Sequence, residues 1–171
     1  NGKGFNNPGE YDGIINLSNG KQAEKVYLTL NFWPIKFPKE VACYSYNWSY
    51  LDWPILVGRE EEAVKDLFDH YTNAFIIHYP FLPWPTVDNH GNIIDIDFRE
   101  FDRQLDLHSG ARMYLFWLGT NYESPNLKGL MTSHEYMSPE WQNAFIQWIN
   151  AIVTHLEDRG ITKDQFAFYP V

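Results

Sequence analysis

At 171 residues, 44% of them hydrophobic and 20% charged, the chain has the length of one ordinary domain and enough apolar side chains for a core. A net charge of -9 argues against nucleic acid and anionic membranes, because no basic stripe is present to neutralise phosphates. The single Cys43 excludes an internal disulfide and a multi-cysteine zinc site. No apolar run approaches the ~18 residues that cross a bilayer, and no basic-then-apolar leader opens the chain.

The opening region reads as β. Residues 11–18 (YDGIINLS) and 25–33 (KVYLTLNFW) flank Asn19-Gly20, a strong hairpin signal. Val26, Leu28, Leu30 and Phe32 alternate with Tyr27, Thr29, Asn31 and Trp33, which predicts one buried face. Two strands alone are marginal in water, so the pair needs a further layer. Pro34 and Pro38 then mark a stiff linker, which divides the chain into 1–38 and 39–171.

From Val41 the pattern becomes strand, helix, strand. Residues 41–48 form the first predicted strand, and 59–71 a helix with Ala63, Val64, Leu67, Phe68 and Tyr71 on one face. Residues 73–81 give the second strand. The helix over 97–110 is expected to start at Asp97 as N-cap, with Glu100 completing a capping box, and to stop at Gly110. Residues 112–119 give the third strand. A long helix from Ser138-Pro139 to Gly160 carries Trp141, Phe145, Trp148, Ile149, Ile152 and Leu156 as its stripe. Residues 165–171 (QFAFYPV) are the fourth strand.

Apolar strands separated by helices imply a parallel sheet covered by helices, so the fold class is α/β. An open doubly wound sheet and a TIM (β/α)8 barrel both fit this pattern. No glycine-rich phosphate loop follows the first strand, which weakens the nucleotide-binding version, and no cofactor is expected. Four βα steps make about half of a barrel, whose usual length is ~250 residues. The expected arrangement is therefore the first half of a barrel, preceded by the last strands of a β-sandwich. Such a half would leave its edges to be covered by the rest of the barrel or by another chain.

In either architecture ligands bind at the carboxyl ends of the strands. Those ends carry Asn47, Trp48, Tyr50, Asp52 and Trp53 after the first strand, then His78, Tyr79, Trp84 and Asp88 after the second. The long segment 119–138 follows the third strand with Tyr122, Glu123, His134 and Glu135, and Tyr169 sits in the fourth. Aromatic residues make up 18% of the chain, and rings at strand ends suit flat, partly apolar ligands such as sugars. Each residue also has a plainer reading. Trp48, Trp84 and Trp117 can be packing, His78 a satisfied structural histidine, and Glu123 and Glu135 solvated loop charges. His134-Glu135 lacks the helical zinc-peptidase frame. With no Gly-x-Ser-x-Gly elbow and Cys43 inside a strand, a nucleophilic triad has no support.

A sandwich tail ending YLTLNFWPIKFP, followed by DLFDHYTNAF, PWPTVDNHGNIIDIDFREFDRQL and FAFYP, resembles bacterial glycoside-hydrolase-like barrels. These include glycoside hydrolase family 123, the β-N-acetylgalactosaminidases, and their relatives. The resemblance runs from about Tyr11 to Val171. It implies a β-sandwich beside a (β/α)8 barrel, a carbohydrate substrate, and a secreted, periplasmic or cell-surface protein. It also implies substrate-assisted hydrolysis, in which the 2-acetamido oxygen attacks while an Asp-Glu pair assists. That pair follows the aromatic fourth strand, just beyond the position of Val171, so no catalytic residue is expected within these 171 residues. The substrate-binding candidates are Trp48, His78, Tyr79, Trp84, Trp117, Tyr122, Glu123 and Tyr169. The alternative is a carbohydrate-binding barrel without catalysis; an enzyme using Asp52, Glu123 or Glu135 is a further one.

Overall fold

The computed structural model describes residues 7–36, 42–48, 51, 53–119 and 134–170. The chain divides into two compact units, residues 1–41 and 42–171.

The first unit is an antiparallel hairpin of β1 (Gly9–Ser18) and β2 (Ala23–Phe32). Its turn is held by Asn19, whose Oδ1 accepts from the Lys21 and Gln22 amides at 3.0 and 2.9 Å, while Gly20 takes φ +83°. The register sets Tyr11 opposite Leu30, Gly13 opposite Leu28 and Ile15 opposite Val26. Directly paired residues share a face, so the predicted alternation does gather one apolar side. No second layer covers that side within the described residues of this unit.

The second unit is a mixed α/β structure. A four-stranded sheet runs β3 (Tyr46–Asn47), β4 (Ala74–Ile77), β7 (Met113–Leu118) and β8 (Phe166–Pro170), all parallel and in sequence order. The connections carry α1 (Glu60–Asp69), α2 (Arg99–Leu107) and α3 (Pro139–Asp158), together with a small antiparallel pair, β5 (Pro85–Val87) and β6 (Ile93–Ile96).

One core joins the helices to one face of the sheet. Phe75, Ile77, Tyr114, Phe116, Leu118, Phe166 and Phe168 pack with Val64 of α1, Phe101 and Leu105 of α2, and Trp148, Ile152 and Leu156 of α3. These sheet residues are alternate positions along their strands, hence one face. The intervening residues, Ile76, Met113, Leu115, Trp117, Ala167 and Tyr169, lie on the opposite face and outside this core. A doubly wound sheet would have helices on both faces and a reversal of strand order. Here the order is sequential and the helical core lies on one face.

Local chemistry explains the boundaries. α3 starts as predicted: Ser138 Oγ accepts from the Trp141 amide at 3.2 Å and Pro139 takes the first position. α2 departs from expectation. Its N-cap is Phe98, because Asp97 folds back on Arg99, accepting from its amide and from its guanidinium at 2.9 Å and 3.0 Å. Glu100 pairs with Arg103 at 2.8 Å instead of closing a capping box. The second strand is shorter than predicted, since Pro80 turns Tyr79–Phe81 into a 3-10 turn directly after His78. The first is reduced to two residues. It is clipped to β4 by Asn73, which accepts from the Ser45 amide at 2.9 Å and donates to the Cys43 carbonyl at 3.0 Å.

The β5–β6 pair has no counterpart among the elements expected from sequence. It is seated on α3: Gly91 lies so close to the helix that its carbonyl accepts from both Asn143 and Gln147 side chains at 3.1 Å. Its turn is organised by Asp88, whose carboxylate accepts from the His90 and Asn92 amides and from the Asn92 side chain. These bonds hold the exposed Asp88 carboxyl below its usual range, the Asn92 side chain first among them.

Candidate functional site

The parallel register delivers a row of side chains at the carboxyl ends of the strands. Ile77, Phe116 and Phe168 are aligned, and one residue further His78, Trp117 and Tyr169 come abreast on the face opposite the helical core. Trp48, one residue past β3, joins them from the edge strand.

These rings touch one another. Trp48 meets Trp117 at 5.2 Å between centroids, His78 at 5.8 Å and Tyr169 at 6.3 Å, each in a T-shaped arrangement. Trp117 also meets His78 at 5.3 Å and Tyr79 at 5.0 Å, again edge to face. Edge-to-face geometry places a ring's positive rim on another's negative face, worth about 0.5–1.5 kcal/mol per pair beyond burial. The contact of Trp48 with Tyr169 links the first and last strands of the sheet. Neighbouring strands lie about 4.8 Å apart, so three intervals span roughly 14 Å on a flat sheet. The two long side chains reach toward each other across that span.

Burial differs across the cluster. His78 is 6% exposed, Trp48, Tyr79 and Trp117 are half-buried, and Tyr169 is 41% exposed. The Trp117 indole nitrogen is shielded from solvent and has no hydrogen-bond partner among the described residues. Chemically, the cluster offers apolar ring surface with the phenols of Tyr79 and Tyr169 and the His78 imidazole among it. Among the described residues it contains no carboxylate.

Five of the eight sequence-predicted binding residues are thus brought together: Trp48, His78, Tyr79, Trp117 and Tyr169. Trp84 goes elsewhere. Its ring stacks on Trp148 of α3 at 5.0 Å and 13°, and its Nε1 donates to the Tyr79 carbonyl at 2.6 Å. Trp148 Nε1 in turn donates to the Pro83 carbonyl at 2.6 Å. Trp84 therefore fastens the segment after β4 to the helical layer. Tyr122 and Glu123 lie outside the described residues, as do Tyr50 and Asp52. Glu135 is exposed, and His134 Nε2 sits 2.8 Å from the Asp88 carbonyl, tying the start of α3 to the β5–β6 turn.

Two histidines away from the cluster are structural. His108 is buried, its Nδ1 donating to the Gln104 carbonyl at 2.8 Å, and its carbonyl accepts from the Tyr114 hydroxyl at 3.2 Å. Loss of solvation pushes its imidazole below the ordinary value of 6.5. His155 stacks on Phe98 at 3.9 Å and lies 2.6 Å from Asp102, which Arg159 also contacts at 3.1 Å. This carboxylate–imidazole pair joins α2 to α3, and among the described residues no hydroxyl or thiol meets it as a nucleophile to activate. Among the described residues no group of three or more His, Cys, Asp or Glu could hold a metal ion. No described helix is long and apolar enough to cross a membrane.

Sequence reasoning had no signal for the Trp84–Trp148 stack or for the seating of Gly91 on α3, since both join residues more than fifty positions apart. Compared with known proteins, the chain matches no family model and no curated protein at a significant level.

Proposed function

We propose that the strand-end face is a carbohydrate-binding wall, and that residues 42–171 form one half of a glycoside-hydrolase-like (β/α)8 barrel. The observation that carries this reading is the aromatic cluster of Trp48, His78, Tyr79, Trp117 and Tyr169 on the face opposite the helices. Sequential parallel strands with the helical core on one side are what a barrel arc would have, and they support this reading. Ligands in barrels are held at the carboxyl ends of the strands, where the rings lie. A sugar's apolar C–H face is suited to ring surface, and its hydroxyls to phenol and imidazole edges. The resemblance to glycoside hydrolase family 123 supports an N-acetylhexosaminide as the sugar, a β-sandwich origin for the β1–β2 hairpin, and a secreted or cell-surface bacterial parent.

Among the described residues the cluster supplies binding surface and no carboxylate, and proton transfer to a leaving oxygen needs a donor within hydrogen-bond reach. We therefore expect the 171-residue chain to bind N-acetylhexosaminides without hydrolysing them. The same aromatic wall also fits a second reading, a carbohydrate-binding barrel without catalysis. Calorimetric titration with methyl β-glycosides of N-acetylglucosamine and N-acetylgalactosamine, with aryl-glycoside release followed in parallel, tests both. Binding without turnover is the expected result. Turnover by this chain would refute the assignment of its role, and no binding to either sugar would refute the site.

A further inference from the structure

We propose that Tyr169 is the ring that meets the sugar, and that Trp48 and Trp117 are positioning residues that hold it. This rests on the carbohydrate reading of the same face and divides labour within it. Stacking on a pyranose requires a ring whose surface is open to solvent before the ligand arrives. Tyr169 alone among the clustered rings is classed as exposed, at 41%. Trp117 is hemmed by Trp48, His78 and Tyr79 at 5.0–5.3 Å, and its indole N–H is shut away from solvent. It offers the sugar no accessible donor, and three neighbouring rings crowd it.

Tyr169 is also pre-set. Its backbone pairs with Trp117 in the parallel register, and Pro170 after it confines Tyr169 to the extended region. Trp48 braces the ring from across the sheet at 6.3 Å and 73°. A ring so held loses little freedom when a ligand stacks on it, which is where pre-organisation adds affinity. The chemistry that fits is a neutral pyranose with one unbroken C–H face laid on the ring, and a hydroxyl or amide able to reach the phenol at its edge.

The test uses the whole chain, the two methyl N-acetylhexosaminides as probes, and Tyr169→Ala, Tyr169→Phe and Trp48→Phe. Affinity is read by calorimetry and folding by thermal denaturation. Tyr169→Ala is expected to weaken binding about tenfold or more with only a small drop in melting temperature, from the loss of its ring contact with Trp48. Tyr169→Phe should keep most of the affinity. Trp48→Phe should lower the melting temperature and weaken binding by less than Tyr169→Ala does, since it acts on the sugar through the ring it holds. Unchanged affinity in Tyr169→Ala, with binding abolished in folded Trp48→Phe, would overturn the division of roles and leave the sugar site standing. Failure of the unsubstituted chain to bind either probe would overturn the site itself, and this inference with it.

Discussion

Gly91 offers the sharpest test of how the strand-end loops are built. A Cβ added there would sit 2.1 Å from the Glu140 carbonyl oxygen, 2.8 Å from its carbon and 3.0 Å from its Cα, all backbone atoms of α3. Ordinary contact begins near 3.4 Å. Either the β5–β6 turn or the first turn of α3 would have to move by more than about 1 Å, and packed interiors resist that. The φ of +74° adds a backbone penalty for any residue with a Cβ. Overpacking costs about 1–3 kcal/mol and left-handed backbone about 1–2 kcal/mol. If the turn lifts, the Asn143 and Gln147 bonds to the Gly91 carbonyl go too, at about 1 kcal/mol each. Gly91→Ala should therefore destabilise the α/β unit by about 2–5 kcal/mol, and by more if the turn lifts. Gly160→Ala is the control: φ is +79°, but nothing lies within 4 Å of the added Cβ. It should lose only the backbone part, about 1–2 kcal/mol. Urea unfolding followed by circular dichroism measures both. Equal losses in the two variants would refute the close seating of the turn on α3.

Two further outcomes follow from buried polar groups. Because burial holds the folded His108 imidazole below 6.5 while the unfolded one titrates normally, unfolding takes up a proton on the acid side. Its contribution is present above pH 6.5 and is lost as pH falls from there through the lower folded value. Urea midpoints at about pH 7.5 and about pH 5.5 should show this drop in the original protein and a smaller one in His108→Gln; an identical drop in both would contradict it. Asn73→Ala should remove the clip between β3 and β4, leave the Ser45 amide and Cys43 carbonyl unpaired, and cost about 1–3 kcal/mol. Hydrogen exchange at the Ser45 amide should accelerate; unchanged protection would show that β3 is held by other means.

The sequence carried the parts of the fold that depend on near neighbours. Ser138-Pro139 marks the start of α3 because a hydroxyl acceptor and a residue without N–H satisfy the first turn locally. Asn19-Gly20 marks the hairpin for an equally local reason. Where two local partners competed, the reading failed: Asp97 and Glu100 were better matched by Arg99 and Arg103 than by the helix end. β5 and β6 were too short and too rich in turn residues to show a period, and their stability comes from α3, far along the chain. The site followed the same division. Trp48, His78, Trp117 and Tyr169 were legible because the strand period and register put them at one edge. Trp84 was not, because its partner Trp148 sits on a helix sixty-odd residues later.

The most direct test is to follow the indole N–H signals of the seven tryptophans by NMR while titrating a methyl β-N-acetylhexosaminide. The indoles of Trp48 and Trp117, which border Tyr169 at the strand ends, should shift, and those of Trp84 and Trp148 in the helical layer should stay in place. Shifts confined to Trp84 and Trp148, or no shift at saturating sugar, would contradict a carbohydrate site on this face.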